Sequence, residues 1–183
     1  MSSSRVRGFL QRYGLVVSFL ILCLVLSLLS DRFLTVGNLT NVLRQSTINL
    51  IIAIGMTYVI LTAGIDLSVG AVLALATVVT ADLLQRGVPI LPTVVLGLLL
   101  GGVLGMANGL LISRVKVPAF VATLGMMTVA RGLALTYTQG RPITGLPDAF
   151  RYIGTGYLGP VPMPIIVAGI TFLAGYILLT RTR

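Results

Sequence analysis

The sequence has no glutamate, no histidine and no tryptophan, and it carries only four acids: Asp31, Asp66, Asp82 and Asp148. Without His and Glu, neither a zinc metalloprotease of the H-E-x-x-H kind nor a His-dependent intramembrane serine protease can be built. No G-x-x-x-x-G-K-[ST] loop occurs, so the chain does not bind and hydrolyse ATP in the usual way, and no dinucleotide fingerprint follows a predicted strand. An enzyme is therefore not expected, and neither is a cofactor. The single cysteine, Cys23, excludes an intrachain disulfide; set in an apolar run, it reads as a small buried apolar residue. Charge of either sign is scarce, at 9% of residues against 56% hydrophobic ones. With a mean hydropathy of +1.05, too little charge remains to cover a soluble domain. The expected fold class is all-α, a polytopic transmembrane helical bundle.

The charge that is present is basic. Thirteen bases, all Arg except Lys116, give a net charge of +9. They lie between apolar runs rather than in one cluster. That distribution fits anionic lipid headgroups and not a nucleic-acid groove. A hydrocarbon core of about 30 Å needs roughly 20 apolar residues in helical form. Six runs qualify in a single domain over 1–183, near 13–29, 48–63, 69–84, 88–112, 118–137 and 161–180, the second and third of them short. The first follows Arg5, Arg7 and Arg12, as a signal peptide would. Its length and the poor cleavage sequence Ser-Leu-Leu-Ser favour a retained span. With both termini inside, Arg5, Arg7, Arg12, Arg114, Lys116, Arg181 and Arg183 fall in short inner segments. Arg32, Arg44, Arg86, Arg141 and Arg151 fall in longer outer ones, and that asymmetry favours this orientation. The Gly- and Pro-rich segment 138–160, with Phe150, Tyr152 and Tyr157, reads as an external loop with interfacial aromatics.

Three features bear on function. Gly97, Gly101, Gly105 and Gly109 recur every four residues along the fourth run, a flat stripe on which helices pack closely or a moving core slides. Thr62-Ala-Gly-Ile-Asp-Leu-Ser-Val-Gly70 is a short polar break between two short apolar segments. Asp66 or Ser68 there caps the third helix by accepting its free N–H groups. Alternatively the break lines a polar pathway, as broken helices do. Asn108 falls near the inner end of its run and shares the depth of Asp66 by span counting. Asn49, a polar residue in the second run, joins these as a pathway or gating candidate. Arg131 lies thirteen residues after Pro118, about 20 Å along a helix. It either pairs with Asp82, at a similar distance after Val69, or with backbone carbonyls, or it snorkels to the outer interface.

Asn38-Leu-Thr-Asn-Val-Leu-Arg-Gln-Ser-Thr47, Gly55-Met-Thr and Ile60-Leu-Thr-Ala-Gly-Ile-Asp-Leu-Ser-Val-Gly70 closely resemble the permease subunits of bacterial sugar ABC importers, the ribose, xylose, arabinose, galactoside and rhamnose type. The resemblance continues through Ala107-Asn-Gly-Leu, Pro118-Ala-Phe-Val-Ala-Thr-Leu-Gly-Met-Met, Ala130-Arg-Gly and Tyr137-Thr-Gln-Gly, over nearly the whole chain. Branched-chain amino acid permeases carry a looser version of the central block. The resemblance implies a subunit in the bacterial inner membrane that pairs with a second, identical or paralogous permease. A periplasmic sugar-binding protein delivers the sugar, and a cytoplasmic ABC ATPase drives the cycle. Membrane lipid is a partner and nucleic acid is not. The family usually has about ten spans, so the chain is expected to be the N-terminal part of a permease. A permease for amino acids, nucleosides or a quorum-sensing sugar derivative, and a non-transporting membrane scaffold, are the alternative readings.

Overall fold

The computed structural model describes residues 3–181; Arg183, expected on the inner side, lies outside them. The chain divides into two compact units, 1–46 and 47–183.

In the first unit, α1 (Ser3–Leu29) is a 27-residue helix. A tight turn over 30–35 follows, closed by the Phe33 N–H on the Ser30 carbonyl and the Asn38 amide on the Phe33 carbonyl. The Thr35 hydroxyl oxygen accepts the Asn38 N–H at 3.3 Å. That bond satisfies one of the free donors at the start of α2. Thr35 therefore starts α2 (Val36–Leu61) well before the apolar run that marks it in the sequence. At 26 residues the helix is about 39 Å long, more than a hydrocarbon core requires. Arg44, expected in an outer segment, lies within it.

The second unit takes over from Thr47 onward in α2 and holds the bundle. Its helices are α3 (Val69–Gln85), α4 (Ile90–Ser113), α5 (Ala119–Thr138), the short α6 (Asp148–Thr155) and α7 (Met163–Arg181). Among the described residues, five helices, α1, α2, α4, α5 and α7, are long and apolar enough to cross a membrane; α3, at 17 residues, is shorter. The all-α bundle expected from composition is what the chain forms. The segment 138–160, expected to be a loop, contains structure of its own. Pro147 opens α6, and a two-residue hairpin, β1 (Tyr157–Leu158) against β2 (Val161–Pro162), precedes α7.

The core is where α3, α4 and α5 meet. Leu75, Ala130 and Ala134 are buried, with Ala71, Val72, Val79, Leu100 and Leu104 packed round them. Small residues on α5 let the backbones approach, which matters because lipid is as apolar as leucine and supplies no hydrophobic drive. On α4 the inward face is Thr93, Gly97, Leu100, Leu104 and Asn108. This corrects the glycine stripe. A β-carbon at Gly97 would run into the Thr80 hydroxyl of α3, whereas one at Gly101, Gly105 or Gly109 would meet nothing within 4 Å. Helix geometry explains the difference. A step of four residues overshoots a full turn by about 40°, so Gly109 has rotated about 120° from Gly97. Elsewhere α7 meets α2 at Gly175, whose carbonyl accepts the Tyr58 hydroxyl.

Candidate functional site

The polar break between α2 and α3 is built by two local devices. α2 ends with the Gly64 N–H on the Val59 carbonyl and the Ala63 N–H on the Ile60 carbonyl, at 2.9 Å each. That is a Schellman ending. Its left-handed position is held by Ala63 at φ +55°, where an L-residue with a β-carbon is disfavoured by about 1–2 kcal/mol. Asp66 then folds the chain back into α3, and its Oδ1 accepts the Ser68 N–H at 2.7 Å and the Ser68 hydroxyl at 2.6 Å. This is the turn that Asp side chains form with a backbone N–H two residues on. It corrects the expected cap: Ser68 occupies the N-cap position but makes no side-chain bond to the helix, and Asp66 bonds Ser68 rather than the first turn of α3.

Two helices reach this break. From α4, Asn108 Nδ2 donates to Ser68 Oγ at 3.0 Å. From α5, Thr123 Oγ1 lies 2.8 Å from the carbonyl of Ala119 and 3.3 Å from that of Ile65. Ser68, Asn108 and Thr123 are 1%, 4% and 1% exposed, while Asp66 is half-buried. Asp66 and Asn108 thus come together through Ser68, at one level of the bundle. Asn108 Oδ1 is buried with no partner among the described residues. A carbonyl so placed forgoes about 1–3 kcal/mol of solvation. Thr123 was missed in the sequence. Its only signal was its place one turn after Pro118, where a hydroxyl at the start of α5 faces whatever loop lies beside it.

The other candidates lie elsewhere. Asn49 is exposed on α2, twelve residues or about 18 Å before the helix ends at the break. Arg131 is exposed and pairs with no acid among the described residues. Asp82 is instead held by Arg86 Nε at 2.7 Å and by the Tyr137 hydroxyl at 2.5 Å. Equal counting from the two helix starts misled the pairing, because α5 begins deeper than α3. Tyr137, six residues or about 9 Å beyond Arg131, is the residue level with Asp82. The Asp82–Arg86 pair has the i, i+4 spacing of helical ion pairs and was readable as such. Its hydrogen bond to the carboxylate raises the Arg86 guanidinium further above its ordinary range. Beside this pair, the Gln85 amide donates to the Thr144 carbonyl and ties the segment before α6 to the end of α3. Leu146, Phe150 and Ile153 close over an apolar cavity of about 310 Å³ between α3 and α4.

A bundle of long apolar helices, with a buried hydrogen-bonded polar cluster at a helix break, has the construction of a membrane transport protein. The comparison with known proteins gives that class a family. Residues 38–183 match the family described as branched-chain amino acid transport system / permease component, and the chain belongs to it. It is 41% identical over 185 residues to the ribose import permease protein of Haemophilus influenzae, covering 99% of this chain and 57% of that one. Against the ribose import permease protein of Bacillus subtilis it is 46% identical over 177 residues, 96% of this chain and 55% of that one. Against the D-allose transport system permease protein of Escherichia coli it is 37% identical over 181 residues, 96% and 54%. The chain therefore spans about half the length of the curated relatives it matches. No solved structure matches it.

Proposed function

We propose that the chain is part of the permease subunit of an ATP-binding-cassette importer, forming the translocation pathway for a sugar. The observation that carries this reading is its similarity, along nearly its whole length, to proteins named for the import of ribose and allose. The family description favours a second reading, a permease for branched-chain amino acids. The individual relatives, which also include a galactofuranose and a fructose permease, weigh for sugar. The subunit works with a second permease subunit, a cytoplasmic ABC ATPase that supplies the hydrolysis, and a periplasmic sugar-binding protein, in the bacterial inner membrane. Asp66, Ser68 and Asn108 form the moving or gating element of the pathway. The test is uptake that depends on the binding protein, with sugar set against a branched-chain amino acid as substrate.

Both termini are placed in the cytoplasm, on the distribution of Arg and Lys. Segment 138–160, with Arg141 and Arg151 exposed on it, then faces outward. In a Cys23→Ser background, cysteines at Arg141 and Thr155 are expected to react with a membrane-impermeant maleimide added from outside. Reaction only after access to the cytoplasmic face inverts the orientation.

A further inference from the structure

We propose that the Ser68 hydroxyl is a two-position switch, and that the free carbonyl of Asn108 is its second acceptor. The inference deepens the reading of the α2–α3 break as a moving element and rests on it. In the position seen, Ser68 donates to Asp66 and accepts from Asn108 Nδ2. Asp66 is the only half-buried member of this set, so it alone can turn out toward water without leaving the chain's interior open. Its departure would strand a hydroxyl that is 1% exposed, and a buried donor without an acceptor is strongly disfavoured. The remedy is already in place. Asn108 Oδ1 is buried, unpartnered among the described residues, and belongs to the same amide that touches Ser68. Rotation of that amide presents Oδ1 to the hydroxyl, and Ser68 then donates to Asn108 instead of to Asp66. The Ser68 hydroxyl keeps an acceptor while the break is free, and the amide leaves Nδ2 unpartnered in place of Oδ1.

The second anchor is arranged in the same way. Thr123 has one hydroxyl proton and three carbonyls in reach: Ala119 at 2.8 Å, Ile65 at 3.3 Å and Phe120 at 3.4 Å. Its longer bond to Ile65 holds the break, and its shorter bond within α5 remains when the break moves. Each contact that pins residues 65–68 to α4 and α5 has a replacement that needs no new partner. A static cap has no use for such replacements, and a segment with two positions does.

The test exploits opposite signs. A trifluoromethyl probe is attached to a cysteine replacing the exposed Leu67, in a Cys23→Ser chain reconstituted in lipid nanodiscs. The ¹⁹F spectrum then reads the pinned and released populations of the break. Asn108→Leu removes the second acceptor and leaves Ser68 on Asp66, so the released population falls about fivefold, the effect of one hydrogen bond. Asn108→Asp keeps acceptor oxygens and puts a negative charge near Asp66, so it rises by a similar factor. Thr123→Val raises it too, and Thr123→Ser restores it. If Asn108 serves only to hold the break, both of its variants loosen it. Movement of the two variants in the same direction, or a single resonance that neither shifts, overturns the switch. Loss of transport on changing Asp66 would then still leave the proposed function standing.

Discussion

Asp66→Ala is expected to lower binding-protein-dependent uptake by about tenfold or more at equal protein abundance, while Asp148→Ala stays within about twofold of the parent. The two residues are both aspartates in short polar segments, and the difference lies in what each carboxylate supports. Asp66 Oδ1 takes two hydrogen bonds from Ser68, one of them from a hydroxyl with almost no access to water. Its loss strands that hydroxyl and removes the turn that aims α3, at about 1–3 kcal/mol for each buried group left unsatisfied. If the break moves as proposed, a cost of that size is worth a factor of about 10 or more in an equilibrium between states. Asp148 is exposed and, among the described residues, pairs with Arg151 alone, at 3.2 Å and three residues away on the same short helix. Surface pairs of that kind contribute about 0–1 kcal/mol. Quantitative immunoblotting of the membranes, run beside the uptake assay, separates lost function from lost protein. Equal mild effects at both positions would reduce Asp66 to an exchangeable turn residue.

Gly97→Val is expected to destabilise the chain by several kcal/mol, and Gly105→Val to change its stability by less than about 0.5 kcal/mol. Both glycines belong to the same four-residue repeat. At Gly97 even a β-carbon meets the Thr80 hydroxyl, and the branches of valine would press on the α3 backbone near Ala76. Thr80 can turn aside for alanine, so Gly97→Ala should sit between the two. At Gly105 the space is open. Denaturation of the purified chain in mixed micelles, followed by helix content, reads the difference. A matching loss at both positions would mean that the whole stripe is packed and that the α3–α4 contact extends further along α4 than Gly97.

The contrast between these glycines shows what could be read from the sequence and what could not. Hydropathy located α1, α4, α5 and α7, because a helix that meets lipid must be apolar on most sides. It placed the start of α2 too late, since a polar stretch such as Asn38-Leu-Thr-Asn reads as a loop unless the Thr35 cap before it is noticed. It also passed over α6, eight residues in a Gly- and Pro-rich segment whose helical face is visible only against the α3–α4 groove it covers. At the site, the composition of the break pointed to Asp66 and Ser68, and span counting brought Asn108 to the same level. Neither could supply Thr123, because a threonine in a helix usually bonds its own preceding turn, and only the fold brings Ile65 beside it. The pairing of Arg131 with Asp82 failed for a geometric reason: depth counted from each helix start assumes that the starts are level, and those of α3 and α5 are not.

The proposed function is that of a permease that moves a sugar handed over by a binding protein. The most direct measurement is uptake of radiolabelled sugar into proteoliposomes. These contain the permease, a partner ABC ATPase and ATP on the ATPase side, with a binding protein added outside. The expected result is accumulation of a pentose or hexose that requires all three components and is not inhibited by excess leucine. Uptake of leucine in place of sugar, or sugar entry that is indifferent to the ATPase and the binding protein, would contradict it.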